Sequence, residues 1–289
     1  MSISDNINGA TNTIRALKDA IASWGAAIVS AVNTITDQIP HEQKVALGLI
    51  TGFTTWNKFG YNTDIDTAAD EVIAEFGGAL TVLSDGEQLN IASSSASDTA
   101  AGTGAQQVVV IGVGGATATD RGLVTEVLEL DGLSTVTTTN YFWGVNRLTI
   151  FIAGSSQGNV GTITATNAVE GNVAAEMPAG QGTTQQAVFY VPEDHTFLAT
   201  WLYGAITKTS GGGNPSGTIF GYVHSEVANA KFEIFRKTLD TSVEEAFEIN
   251  PAEPFPIGEK SIIWFEGSAS ANNTEFRCRF SGELIADQN

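Results

Sequence analysis

The chain has 289 residues, of which 16% are charged, and 32 acidic against 13 basic side chains leave a net charge of −19. That balance excludes the basic footprint that nucleic acid or an anionic membrane surface demands. The single cysteine, Cys278, excludes an intrachain disulfide, and the length suffices for one large domain or two smaller ones with full cores.

The first predicted element is a helix over residues 1–40. Ile7, Ile14, Ile21, Ile28 and Ile35 recur at every seventh position, and Ile3, Ala10, Leu17, Trp24 and Ala31 fall between them. An apolar row with a 3.5-residue period needs a partner helix to cover it. Isoleucine at the first set of positions favours parallel packing. The mixed second set, with Trp24 too bulky for a tight two-stranded seam, points to a homotrimeric coiled coil. The oligomerisation residues are therefore Ile7, Ile14, Leu17, Ile21, Trp24, Ile28 and Ile35. The competing reading is one amphipathic helix packed on its own domain, which normally shows a wider apolar stripe. Gly9 and Gly25 each cost about 1 kcal/mol of helix propensity. The apolar run from Ala20 to Val32 falls short of the ~20 residues that span a bilayer, so no membrane insertion is expected, and no cleavable signal is evident.

Residues 41–79 read as linker and short helices, one within His41 to Ile50 and one from Ala68 to Phe76, with a hinge at Gly52 to Thr55. From Leu80 the pattern becomes β-rich. Thr81 to Leu83, Leu89 to Ile91, Val108 to Ile111, Val124 to Leu130, Tyr141 to Phe151 and Val160 to Thr166 are strand candidates. So are Ala187 to Val191, Phe197 to Tyr203, Thr218 to Val223, Ala230 to Phe235, Ser261 to Phe265 and Phe276 to Leu284. Many short strands without long helices between them predict a mainly β protein, an antiparallel β-sandwich or jelly-roll body behind the N-terminal coiled-coil helix. We expect a β-rich domain over 80–180 and a C-terminal, jelly-roll-like β-sandwich over 181–289, with a boundary near the Gly/Gln/Ala-rich stretch Val173 to Thr184. The Ser/Ala/Thr/Gly-rich stretch Ser93 to Gly104 reads either as a flexible loop or as an ordered one. Gly211 to Pro215 is a loop. Cys278 alternates with Arg277 and Arg279 and is expected to be buried.

No motif carries chemistry convincingly. Gly154-Ser155-Ser156-Gln157-Gly158 has the letters of a nucleophile elbow, with Asp194 and His195 downstream. An elbow needs a helix directly after the serine, and a strand pattern follows here. Adjacent Asp and His side chains also cannot readily form the orienting bond of a triad. Val108 to Gly115 imitates a dinucleotide loop but has Thr117 at the third glycine position and no βαβ unit around it, so a glycine-rich hairpin is expected. Asp64, Asp66 and Asp70 lack the spacing of a calcium loop and read as solvation and a helix cap at Asp66. His41, His195 and His224 show no metal-ligand spacing. Asn272-Asn273-Thr274 is a glycosylation sequon by letters alone. No catalytic residue, metal or cofactor is expected. Trp201, Tyr203, Phe220 and Tyr222 stand at i, i+2 spacing in strand candidates. They read first as a core face and second as a sugar-binding platform, with Trp201 and Tyr203 as the ligand-binding residues.

Trp56-Asn57-Lys58-Phe59-Gly60-Tyr61-Asn62-Thr63-Asp64-Ile65-Asp66-Thr67, followed by Leu89-Asn90-Ile91-Ala92-Ser93-Ser94-Ser95-Ala96-Ser97-Asp98-Thr99-Ala100-Ala101-Gly102-Thr103-Gly104-Ala105, resembles a group of virion structural proteins of tailed bacteriophages, many from marine and aquatic phages. Glu129 to Gly132, Val145 to Leu148, Gly154 to Gly161 and Tyr190 to Pro192 resemble the same group. The resemblance covers about Trp56 to Pro192 and brings no catalytic residues. It implies a non-enzymatic virion component made in the host cytoplasm and assembling with capsid or tail proteins; the group does not require the heptad helix, so assembly of the chain with itself rests on the seam alone. Joined to the seam, it leads us to expect a trimeric head fibre, spike or capsid decoration protein. The alternative is a tail fibre or receptor-binding protein that takes host surface glycan.

Overall fold

A computed structural model describes residues 15–30, 39–208, 214–251 and 253–287. The chain divides into two units, Met1–Thr54 and Thr55–Asn289. In the first unit, α1 covers residues 15–30 and α2 is His41–Ala46. Ile7, Ile14 and Ile35 lie outside the described residues. Helix α2 gives way to Gly48 at φ +68°, a conformation that glycine adopts without steric cost.

The second unit is antiparallel β-sheet, so the mainly β class holds. Its strands in chain order are β1 (Phe53–Ile65), β2 (Glu71–Val72), β3 (Leu89–Ser93), β4 (Ala105–Gly115), β5 (Gly122–Glu129), β6 (Val136–Thr137), β7 (Tyr141–Ala153), β8 (Ile163–Asn167), β9 (Val173–Met177), β10 (Val188–Val191), β11 (His195–Lys208), β12 (Ser216–Ser225), β13 (Ala230–Asp240), β14 (Ala246–Ile249), β15 (Phe255–Ile257), β16 (Ser261–Ala269) and β17 (Thr274–Ala286).

Two pairs of sheets face each other. In one pair, β6-β3-β8-β9 packs on β5-β4-β7, with Leu89, Ile91, Ile163 and Met177 meeting Val108, Val110, Val145 and Leu148 in one core. In the other, β1-β17-β11-β14 packs on β10-β16-β12-β13 around Phe197, Ile206, Phe276 and Phe280 on one side and Phe189, Ile219, Ile263 and Phe265 on the other. Counting β1, β10, β11, β12, β13, β14, β16 and β17 as first to eighth, the two sheets of this second sandwich read 1-8-3-6 and 2-7-4-5. The first sandwich, β3 to β9, is thus inserted between the first and second strands of the other.

The sequence pattern follows this layering. On β17, Phe276, Cys278 and Phe280 point inward while Arg277 and Arg279 point out, as strict alternation demands. Strands β10 and β16 instead read as unbroken apolar runs because both of their faces are covered. Phe189, Val191, Ile263 and Phe265 enter the second sandwich's core. Val188, Tyr190, Ile262 and Trp264 meet Val113 and Trp143 of the insert, and Leu83 from the segment that leads into it, in a third core. Packing there is close enough that a Cβ on Gly144 would lie 2.1 Å from the Tyr190 ring.

Several expectations are corrected. The segment read as linker and short helices supplies β1 and β2. Residues 68–76 form no helix: backbone bonds join Ile73 to Phe265 and to Ala187, each at 2.9 Å. The extended chain sends Ile73 into one core and Val72 and Ala74 into another, which one helical face could not do. Asp66 caps no helix, and its carboxylate accepts the Asn273 N–H at 3.1 Å. Thr81 to Leu83 forms no strand; Leu83 is buried and its carbonyl accepts the Trp143 indole N–H at 2.8 Å. The stretch expected to hold a boundary near Val173 begins with β9.

The stretch Ser93 to Gly104 is ordered around one buried carboxylate. Asp98 accepts the Ser93 hydroxyl at 2.6 Å and the N–H groups of Ala105, Val160 and Gly161 at 2.8, 2.9 and 2.8 Å. Burial alone would raise its pKa, but these four donors outweigh burial and hold the carboxyl below its ordinary value.

Candidate functional site

Helix α1 presents its described seam residues uncovered. Leu17, Ile21, Trp24 and Ile28 are 59, 58, 68 and 63% exposed on the single chain. No described helix is long and apolar enough to cross a membrane.

The elbow-like sequence is a turn rather than a strand-to-helix corner. The Gln157 N–H donates to the Gly154 carbonyl at 3.1 Å, with Gln157 at φ +58°, and the Ser156 N–H donates to the Thr103 carbonyl at 2.8 Å. His195 opens β11 and bonds the Glu193 carbonyl through Nδ1 at 2.8 Å, not the carboxylate of Asp194. The glycines of Val108 to Gly115 lie within β4, which turns back into β5 as a hairpin. Among the described residues no three His, Cys, Asp or Glu side chains converge as a metal site.

The aromatic residues are more informative. The core-face reading fails for Trp201, Tyr203 and Phe220, which belong to none of the three cores, and holds for Tyr222, which packs beside Trp264 against the third core rather than inside its own sandwich. On β11, Phe197 and Ala199 face inward, and so do Leu202 and Ile206. The change of phase is made by an irregularity in the pairing with β17 between Ala199 and Trp201. A bulge re-aims the residues that follow it, and here it turns Trp201 and Tyr203 to the outer face. Phe220 and Tyr222 stack on the outer face of the other sheet, covered there by Arg236 and Lys231 at 5.0 and 3.7 Å from their ring centroids.

Trp201 and Tyr203 stack with ring centroids 6.2 Å apart and planes 10° from parallel. Two strands away, Phe59 and Tyr61 on β1 repeat the arrangement at 6.5 Å and 14°. Strand β17 runs between them and supplies cations: Arg279 lies 5.4 Å from the Trp201 ring and Arg277 5.4 Å from the Tyr61 ring. The Trp201 indole donates to Glu248 at 2.7 Å, the Tyr61 hydroxyl donates to Glu275 at 2.9 Å, and Arg277 pairs with Glu275 at 2.6 Å. Burial, then the Glu275 carboxylate, raises the Tyr61 pKa above its ordinary value.

The resulting groove holds about 520 Å³ and is walled by Asn57, Phe59, Trp201 and Tyr203 over Arg277 and Arg279. A neighbouring hollow of about 350 Å³ shares Asn57, Lys58 and Phe59 with it and extends onto the inserted sandwich at Arg147, Thr149, Thr183 and Thr184. Lys58 is buried, donates to the Asn146 carbonyl, and has its pKa lowered to about 7 by burial and then by the Arg147 charge. Sequence reasoning found Trp201 and Tyr203 by spacing. It missed Arg277, Arg279, Lys58 and Arg147, whose only sequence signal was their scarcity in so acidic a chain.

No protein-family model and no curated protein matches the chain. Among solved structures, infectious bursal disease virus Gt strain matches at 12% identity and a TM-score of 0.19, covering 86% of this chain and 78% of that one. The T13 IBDV viral particle matches at 11% and 0.21, covering 81% and 69%. The VP2 subviral particle of the same virus matches at 10% and 0.19, covering 86% and 78%. Likeness at these scores carries no argument about this chain.

Proposed function

We propose that the protein is a non-enzymatic structural component of a tailed-phage virion: a trimeric head fibre, spike or capsid decoration protein. The observation that carries this reading is the uncovered seam of α1. Four large apolar side chains at heptad spacing stand more than half exposed, and a second and third copy of the helix would bury them. The body supports it independently. Strand orders 1-8-3-6 and 2-7-4-5 support a jelly-roll reading, an architecture of viral capsid and lectin domains. Fold does not fix function, so the assignment to a phage particle rests on the sequence resemblance. Light scattering on the full chain and on a chain beginning at Gly52 tests the seam. A mass of three chains that falls to one on truncation is expected, and a monomer in both cases would remove the coiled coil. Mass spectrometry of purified virions tests the location, and absence of the protein there would sink the reading.

The outward turn of Trp201 and Tyr203 favours a second reading, a tail fibre or receptor-binding protein that takes host surface carbohydrate. A bulge that places aromatic side chains beside unburied guanidinium groups is an arrangement suited to binding rather than to packing.

A further inference from the structure

We propose that the groove over β17, with its continuation onto the inserted sandwich, binds an acidic polysaccharide whose sugar rings carry carboxylates. This inference deepens the carbohydrate-binding reading and rests on it. It starts from a charge census. Six cations of the body pair with carboxylates at 2.5–3.8 Å. Arg147 and Arg279 have no carboxylate partner among the described residues, and they line the two adjoining hollows that share Asn57, Lys58 and Phe59; Lys58 itself is buried and already donates to the Asn146 carbonyl. In a chain with 32 acidic side chains, two guanidinium groups left without a carboxylate at adjoining hollows form a local positive site on a negative body.

The lining chemistry narrows the ligand. The guanidinium of Arg279 is planar and presents paired donors that match a carboxylate. Beside it the stacked Trp201 and Tyr203 offer flat apolar faces, against which the C–H face of a sugar ring packs. Further along, Asn57, Thr149, Thr183 and Thr184 supply amide and hydroxyl groups suited to a ligand rich in hydroxyls. Nucleic acid is disfavoured because the hollows offer two unpaired guanidinium groups and no row of cations to follow a phosphate backbone. A uronate chain offers the carboxylate, the C–H face and the hydroxyls that these three contacts would take.

Calorimetric titration of the full-length protein with polygalacturonate oligomers tests the proposal, with neutral dextran oligomers and single-stranded oligothymidylate as comparators. Polygalacturonate is expected to bind, Arg279→Gln and Arg147→Gln each to weaken it about tenfold, and Lys237→Gln, a paired cation on β13, to leave it unchanged. Melting curves check that the variants are folded, and the two arginines stand on different sandwiches, so one unfolded variant leaves the other as the test. Unchanged affinity in a folded variant would overturn the inference, as would preference for oligothymidylate. Dextran binding as strongly as polygalacturonate would remove the acidic ligand and keep the carbohydrate reading. No binding to either sugar removes both.

Discussion

Four donors converge on the buried carboxylate of Asp98, and two glycines make room for it. A Cβ on Gly104 would lie 2.0 Å from Asp98 Oδ1, and one on Gly161 would lie 2.6 Å from the Ser95 nitrogen. The small, hydroxyl-rich composition that left this stretch ambiguous as sequence is thus what lets the backbone close around a single anion. Asp98→Ala leaves those donors without their acceptor and is expected to lower the unfolding free energy by about 3 kcal/mol. Urea denaturation reads this directly, and a change within experimental scatter would show that water replaces the carboxylate. The folded carboxyl sits below its unfolded pKa. Its contribution is therefore present above that unfolded value and is lost as pH falls through the folded one.

Strands with one covered face were legible from sequence, and strands with unusual surroundings were not. The alternation of β12 and β17 maps directly onto burial. Strand β1 alternates too, but it turns Lys58 and Asn62 inward with Trp56 and Gly60, so hydrophobicity gave no period to follow. Alternation on β11 misled because the bulge reverses its phase halfway. The connection after β2 holds a further element-scale consequence. Burial and the charge of Glu176 on β9 raise the Glu75 pKa to about 7, and burial raises that of Glu176 as well. A carboxyl whose folded pKa exceeds its unfolded value stabilises fully below the unfolded pKa and loses that contribution as pH rises through the folded one. The pair therefore weakens the body between about pH 4.5 and 7. Glu75→Gln is expected to raise the melting temperature at pH 8 and to change it little at pH 4. An equal shift at both values would mean that the effect is not electrostatic.

At the scale of the whole body, the insert is held to its host by one arginine as well as by the shared core. Arg121, beyond the β4–β5 turn, donates to both oxygens of Glu226 in the β12–β13 turn at 3.1 and 2.9 Å. It also donates to the carbonyls of Ser84 and Ala118 at 2.9 and 3.0 Å, and lies 4.9 Å from the Trp143 ring. Glu226 is about a third exposed and stays solvated when its partner goes, so the loss falls mainly on the arginine's bonds to the two carbonyls. Arg121→Met is expected to cost about 2 kcal/mol, with calorimetry as the readout; a loss below about 0.5 kcal/mol would assign the joint to apolar packing alone. Neither this joint nor the groove was visible beforehand, since both combine residues from strands far apart in the chain. The insertion has a last consequence, in time. Strand β1 pairs with β17, the first strand of the body with its last. During synthesis at ~5–20 residues per second, β1 waits roughly 10–45 s for its partner to emerge. The residues of α1 have therefore been synthesised well before the body can close on its last strand.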